Sequence, residues 1–123
     1  MAEKIYRRIH SFRFAWEGLV HAWKTEINFR LHLIFSFLAI VGSIILGISK
    51  LEFIFILIMI TMGISAELAN TAIEELADFI TTEHRTEVKI VKDITAGMVL
   101  VISMGSFLVA VIIFTPFLTR LIQ

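Results

Sequence analysis

Three long stretches of this chain carry no charge, and they limit what it can become more than any other feature. Leu33 to Ile48, Phe53 to Ala66 and Ile94 to Thr119 contain no Asp, Glu, Lys or Arg. Crossing the hydrocarbon core of a bilayer takes roughly 20 mainly apolar helical residues. The third stretch meets that length alone. The first two are shorter, but each continues into helix-compatible sequence, Asn28 to His32 before the first and Glu67 to Ile80 after the second. The expected fold is therefore all-α and integral to the membrane, with three spanning helices at about 30–48, 53–80 and 90–118. A hydrophobic share of 58% over 123 residues agrees, because a soluble domain is nearer half apolar and interrupts its apolar runs with charges. The chain has no linker, repeat or low-complexity tract, so residues 1–123 read as one domain.

A fourth helix precedes the spans, at about 5–28. Ile5, Ile9, Phe12, Trp16, Leu19, Val20, Trp23 and Ile27 recur at steps of three and four, which makes one apolar stripe on a helix. Basic residues fill much of the rest. Such a helix suits the membrane interface, with Trp16 and Trp23 at headgroup level; packing on partner helices is the alternative. Because an amphipathic segment and not an apolar core follows the basic N-terminal residues, no signal peptide is expected.

Eleven basic and eleven acidic residues cancel, but they are unevenly placed. Lys4, Arg7, Arg8, Arg13, Lys24 and Arg30 precede the first span, and Arg85, Lys89 and Lys92 lie between the second and third. The excess of Lys and Arg on one side predicts a cytoplasmic N-terminus and second connection, with the C-terminus outside. Gly47, Ser49, Lys50 and Glu52 predict a tight outer turn, and Pro116 falls near the end of the third span, where breaking a helix costs little. Ser106 and Ala110, and Gly97 and Gly105, are small residues that let membrane helices approach closely. Three helices leave little room for a buried site, so self-association is expected.

The chemistry concentrates in Glu67-Leu68-Ala69-Asn70-Thr71-Ala72-Ile73-Glu74-Glu75-Leu76-Ala77-Asp78. At about 100° per residue, Glu67, Asn70, Glu74 and Asp78 share roughly 80° of arc, while Glu75 points elsewhere. Like charges at this spacing repel, and near a membrane they also lose solvation. Divalent cations, or basic side chains from another segment, are the natural compensators, and Mg²⁺ prefers oxygen ligands. A solvated helix end is the bland reading, and Asp78 fits it. Lys92 and Asp93 lie at the same expected depth, where Lys92 suits a phosphate or serves as a simple membrane anchor. Glu26, with Asn28, Arg30 and His32, forms another polar cluster at that boundary. His10, His21 and His84 lack metal-ligand spacing and read as surface residues.

Several classes are excluded. The chain has no cysteine, hence no disulfide or thiolate chemistry. It has no glycine-rich phosphate loop or dinucleotide fingerprint, no defensible Ser-His-Asp pattern, and no basic-aromatic array for nucleic acid.

These residues are similar to a known pattern. Glu67-x-x-Asn70-x-Ala72-x-Glu74, Asp78, and Lys92-Asp93 before a glycine-containing span resemble the prokaryotic diacylglycerol kinase family. Ala15-Trp16-x-Gly18 and Thr25-Glu26-x-Asn28-Phe29-Arg30-x-His32 fit as well, so the likeness runs from about Phe12 to Phe114. The second motif looks like the Gram-positive branch, whose members act mainly as undecaprenol kinases. The resemblance implies a homotrimer in the bacterial cell membrane, with active sites shared between subunits, that uses ATP and Mg²⁺ to phosphorylate a lipid alcohol. Undecaprenol is the favoured acceptor and diacylglycerol the alternative; more distant are a cation transporter or a non-enzymatic membrane subunit. Carried over by motif, Glu67 is the general base and Asn70 positions the reacting groups. Glu26 and Glu74 hold magnesium. Lys92 and Asp93 bind the nucleotide, with Arg7, Phe14, Glu83, His84 and Arg85 nearby. Two departures stand out. The second connection reads Glu83-His84-Arg85-Thr86, and Phe14 offers no phenol where the diacylglycerol branch can have Tyr.

Overall fold

A computed structural model describes residues 2–81 and 83–122, with side chains from 11 to 81 and from 83 to 120. It is all-helical. The elements are α1 (Ala2–Thr25), α2 (Ile27–Leu46), α3 (Lys50–Ile80) and α4 (Thr86–Ile122). The last three are long and apolar enough to cross a membrane.

The aromatic side chains of the α1 stripe do not pack on the chain's own core. Phe12, Trp16 and Trp23 are all exposed, while the small Ala22 is buried. α1 meets α2 and α3 along a side that carries the small residues Ala15, Gly18 and Ala22. The boundary between α1 and α2 differs from expectation. It falls at the single residue Glu26, in extended conformation (φ −104°, ψ 117°), and Ile27 belongs to α2. No glycine or proline marks it. β-Branched Thr25 and Ile27 flank the break, and the Thr25 hydroxyl donates to the His21 carbonyl at 3.1 Å. A hydroxyl bonding back into its own helix competes with continuing it.

The outer turn is also tighter than predicted. Gly47 ends α2 in the left-handed region (φ 61°, ψ 42°), a conformation glycine adopts without a Cβ clash. Ser49 then caps α3. Its hydroxyl accepts from the Glu52 N–H at 3.3 Å, and the Glu52 carboxylate accepts from the Ser49 N–H at 2.8 Å. This reciprocal capping box satisfies two amides that helix geometry leaves unpaired. It starts α3 at Lys50, not at 53.

α4 runs from Thr86 to Ile122, beyond the expected 90–118, and Pro116 lies inside it. Proline removes one helical hydrogen bond, but membrane helices tolerate this where other groups compensate. One turn on, the Thr119 hydroxyl donates to the Pro116 carbonyl at 3.1 Å.

α3 packs against both α4 and α2 and is the central element. Its 31 residues make a rod of about 46 Å, longer than the roughly 30 Å hydrocarbon core. The surplus of about ten residues holds the polar end. Phe29, Ile56, Ala66, Ala77 and Ile113 are buried between helices. Most other large apolar side chains of the spans, such as Phe35, Ile45 and Phe107, face outward.

Candidate functional site

The polar stripe of α3 is graded from inside to outside. Glu67 is 1% exposed and Asn70 is buried; Glu74 is half-buried and Asp78 exposed. The Asn70 amide donates to Glu74 Oε1 at 2.9 Å, a pairing that helical spacing of four makes natural. This bond aims the Glu74 carboxylate along the stripe. Thr71 turns its hydroxyl onto the Glu67 carbonyl at 3.0 Å.

Among the described residues, neither oxygen of Glu67 has a hydrogen-bond partner, and nor does Asn70 Oδ1, although all three atoms are buried. Leaving a buried polar group unpaired costs ~1–3 kcal/mol, and more for a charged one. In folded proteins an unpaired buried polar group has a reason, such as a catalytic role, a bound ion or an ordered water. His32, Glu26 and Glu74 all lie within electrostatic reach of the Glu67 carboxylate. The cluster thus gathers α2, α3 and the joint between α1 and α2 at one end of the bundle. Glu26 is half-buried at that joint, and its side chain makes no capping bond to α2.

The start of α4 brings its charges to the other end of the stripe. Lys92 Nζ meets Asp78 Oδ1 at 2.5 Å, and Lys89 meets Asp93 Oδ2 at 2.5 Å. Asp78 is therefore the partner of Lys92 and not merely a solvated helix end. Arg85 pairs with Glu83 at 3.1 Å in the connection, where His84 is exposed. Phe14 lies exposed on α1. The side chain of Arg7 lies outside the described residues. Glu75 leaves the stripe, as its angle predicts, and bonds His21 Nε2 at 2.6 Å. That tie between α1 and α3 was invisible in the sequence, since the two residues lie 54 apart.

Among the described residues, no three His, Cys, Asp or Glu side chains form a ready cation cage. Mg²⁺ does not ask for one. It is commonly held by one or two carboxylates, with water and substrate phosphates completing its shell. Glu26 and Glu74 fit that donor set, and the unpartnered oxygens of Glu67 and Asn70 show that the pocket holds more acceptors than its own donors satisfy.

Residues 13–114 match the prokaryotic diacylglycerol kinase family. The chain belongs to that family. It is 33% identical over 113 residues to a Bacillus subtilis undecaprenol kinase, covering 92% of each chain. It is 30% identical over 107 residues to a Synechocystis diacylglycerol kinase, covering 86% of this chain and 61% of the relative. A Haemophilus influenzae diacylglycerol kinase matches at 32% over 76 residues, 62% of this chain and 64% of the relative. The family match contains every candidate residue except Arg7.

Proposed function

We propose that this chain is a lipid kinase that transfers the γ-phosphoryl group of ATP to undecaprenol, giving undecaprenyl phosphate and ADP. The observation that carries the reading is the Glu67 carboxylate, buried with both oxygens free beside the Asn70–Glu74 pair. A base without a partner of its own is available to a substrate hydroxyl. Similarity to the Bacillus undecaprenol kinase over nearly the whole chain supports the acceptor.

In this reading Glu67 accepts the proton of the lipid hydroxyl as the oxygen attacks the γ-phosphorus and ADP departs. Asn70 orients Glu74, and Glu74 and Glu26 hold Mg²⁺. The cation, when bound, neutralises the charge that gathers on the phosphate oxygens. Lys92, set in place by Asp78, and Asp93 engage the nucleotide, with Arg7, Phe14, Glu83, His84 and Arg85 around it. Little covalent work falls to the protein, because phosphoryl transfer rests mainly on positioning and charge stabilisation. A lipid alcohol held at the membrane surface is already localised at the depth of the stripe. The working unit is one domain, residues 1–123, assembled as a homotrimer with shared sites in the bacterial cell membrane. Its N-terminus and second connection face the cytoplasm.

The test is transfer of label from ATP to lipid by purified protein, with undecaprenol and diacylglycerol compared side by side. Transfer to undecaprenol that needs Mg²⁺ and is nearly lost in Glu67→Gln is the expected result. Preference for diacylglycerol would shift the acceptor to that of the Synechocystis and Haemophilus relatives. Full turnover by Glu67→Gln would remove the base assignment.

A further inference from the structure

One polar side chain beside Glu67 has no part in the roles above. His32 lies on α2, half-buried, one turn below the Phe29 contact. Its ring rests on α3 at Gly63, where a Cβ would stand 3.4 Å from Nδ1 and 3.7 Å from Cε1. Gly63 is buried, and it precedes Glu67 by four residues, so the two share one face of α3. The imidazole thus lies against the face of α3 that carries the buried carboxylate, about one turn from it.

Charge points the same way. Of the three groups within electrostatic reach of Glu67, two are the carboxylates of Glu26 and Glu74, and only His32 can be a cation or a donor. A buried carboxylate without a donor has neither a fixed orientation nor a counter-charge when ionised. Among the described residues the His32 ring makes no hydrogen bond of its own; the backbone carbonyl of His32 is taken by Ser36, the ring by nothing. Bonds of this kind are often long in the empty site and close only around substrate.

We propose that His32 is a positioning residue for Glu67, turning a ring N–H onto its carboxylate when the lipid hydroxyl docks. This rests on Glu67 being the base. The role needs a hydrogen-bond donor at this position more than it needs an imidazole, and it acts on the reacting geometry without touching either substrate.

The test uses the full-length protein in nanodiscs, with His32→Leu, His32→Gln and Glu67→Gln compared by lipid phosphorylation and by nitrogen-15 histidine spectra. His32→Leu is expected to lose ~10- to 100-fold in kcat, the usual scale for removing an orienting partner, with KM for ATP and undecaprenol unchanged. His32→Gln, which keeps an N–H donor, is expected to recover much of that loss. In the otherwise native protein, Glu67→Gln is expected to move the His32 ring signals while leaving those of His21 and His84 in place. A His32→Leu variant with native kcat, or His32 signals indifferent to Glu67→Gln, would overturn the proposal. The spectra decide the matter even if His32→Leu fails to assemble. Native turnover in Glu67→Gln would instead strike the base assignment itself, a result separable from an indifferent His32.

Discussion

At the scale of single residues, stability and chemistry pull in opposite directions at Glu67. A carboxylate that is 1% exposed and has both oxygens unpaired contributes nothing to packing that an apolar side chain of similar size would not supply better. Glu67→Leu should therefore raise stability by ~1–3 kcal/mol, the cost of an unmatched buried polar group, while abolishing transfer. Thermal unfolding in detergent, followed by circular dichroism, measures the first effect and the kinase assay the second. A lower melting temperature would mean that the carboxylate is already satisfied in the assembled protein. Active sites commonly carry such local costs. The sequence pattern placed Glu67, Asn70 and Glu74 on one face, and the structure agrees because helical angle alone decides that. It did not reveal which carboxylate is buried, nor that Asp78 holds Lys92, because both depend on how α4 meets α3.

At the scale of elements, the three spans were legible because uncharged length is a direct physical requirement for crossing hydrocarbon. Their ends were less so. The start of α3 moved to Lys50 because Ser49 and Glu52 cap each other, a signal present in the sequence as Ser-x-x-Glu but read there as a turn. The break at Glu26 had no local marker to read. The capping box gives an element-scale prediction. Ser49→Ala should destabilise the protein by ~0.5–2 kcal/mol, as loss of an N-cap does. Catalysis should survive, because Ser49 stands about 27 Å along the helix from Glu67 at 1.5 Å per residue. Chemical denaturation and steady-state kinetics on one preparation test both halves. A large fall in kcat with unchanged stability would contradict this separation of ends.

At the scale of the whole molecule, α2 and α3 form two consecutive spans joined by the short turn around Gly47 to Ser49. The joint at Glu26 and the connection at 81–85 must then lie on the same side of the bilayer, with Ile48 on the other. Single cysteines at positions 24, 48 and 84 of this cysteine-free chain test that arrangement. A membrane-impermeant thiol reagent applied to spheroplasts should label position 48 and spare 24 and 84. Labelling of 24 but not 84 would break the two-span arrangement. The joint itself has a mechanical consequence. α1 is a 24-residue rod, about 36 Å long, and its last residue is followed directly by Glu26. A rod that ends on a side chain of the cluster is a lever. A change in the tilt of α1 therefore acts on the backbone directly beside the Glu26 carboxylate.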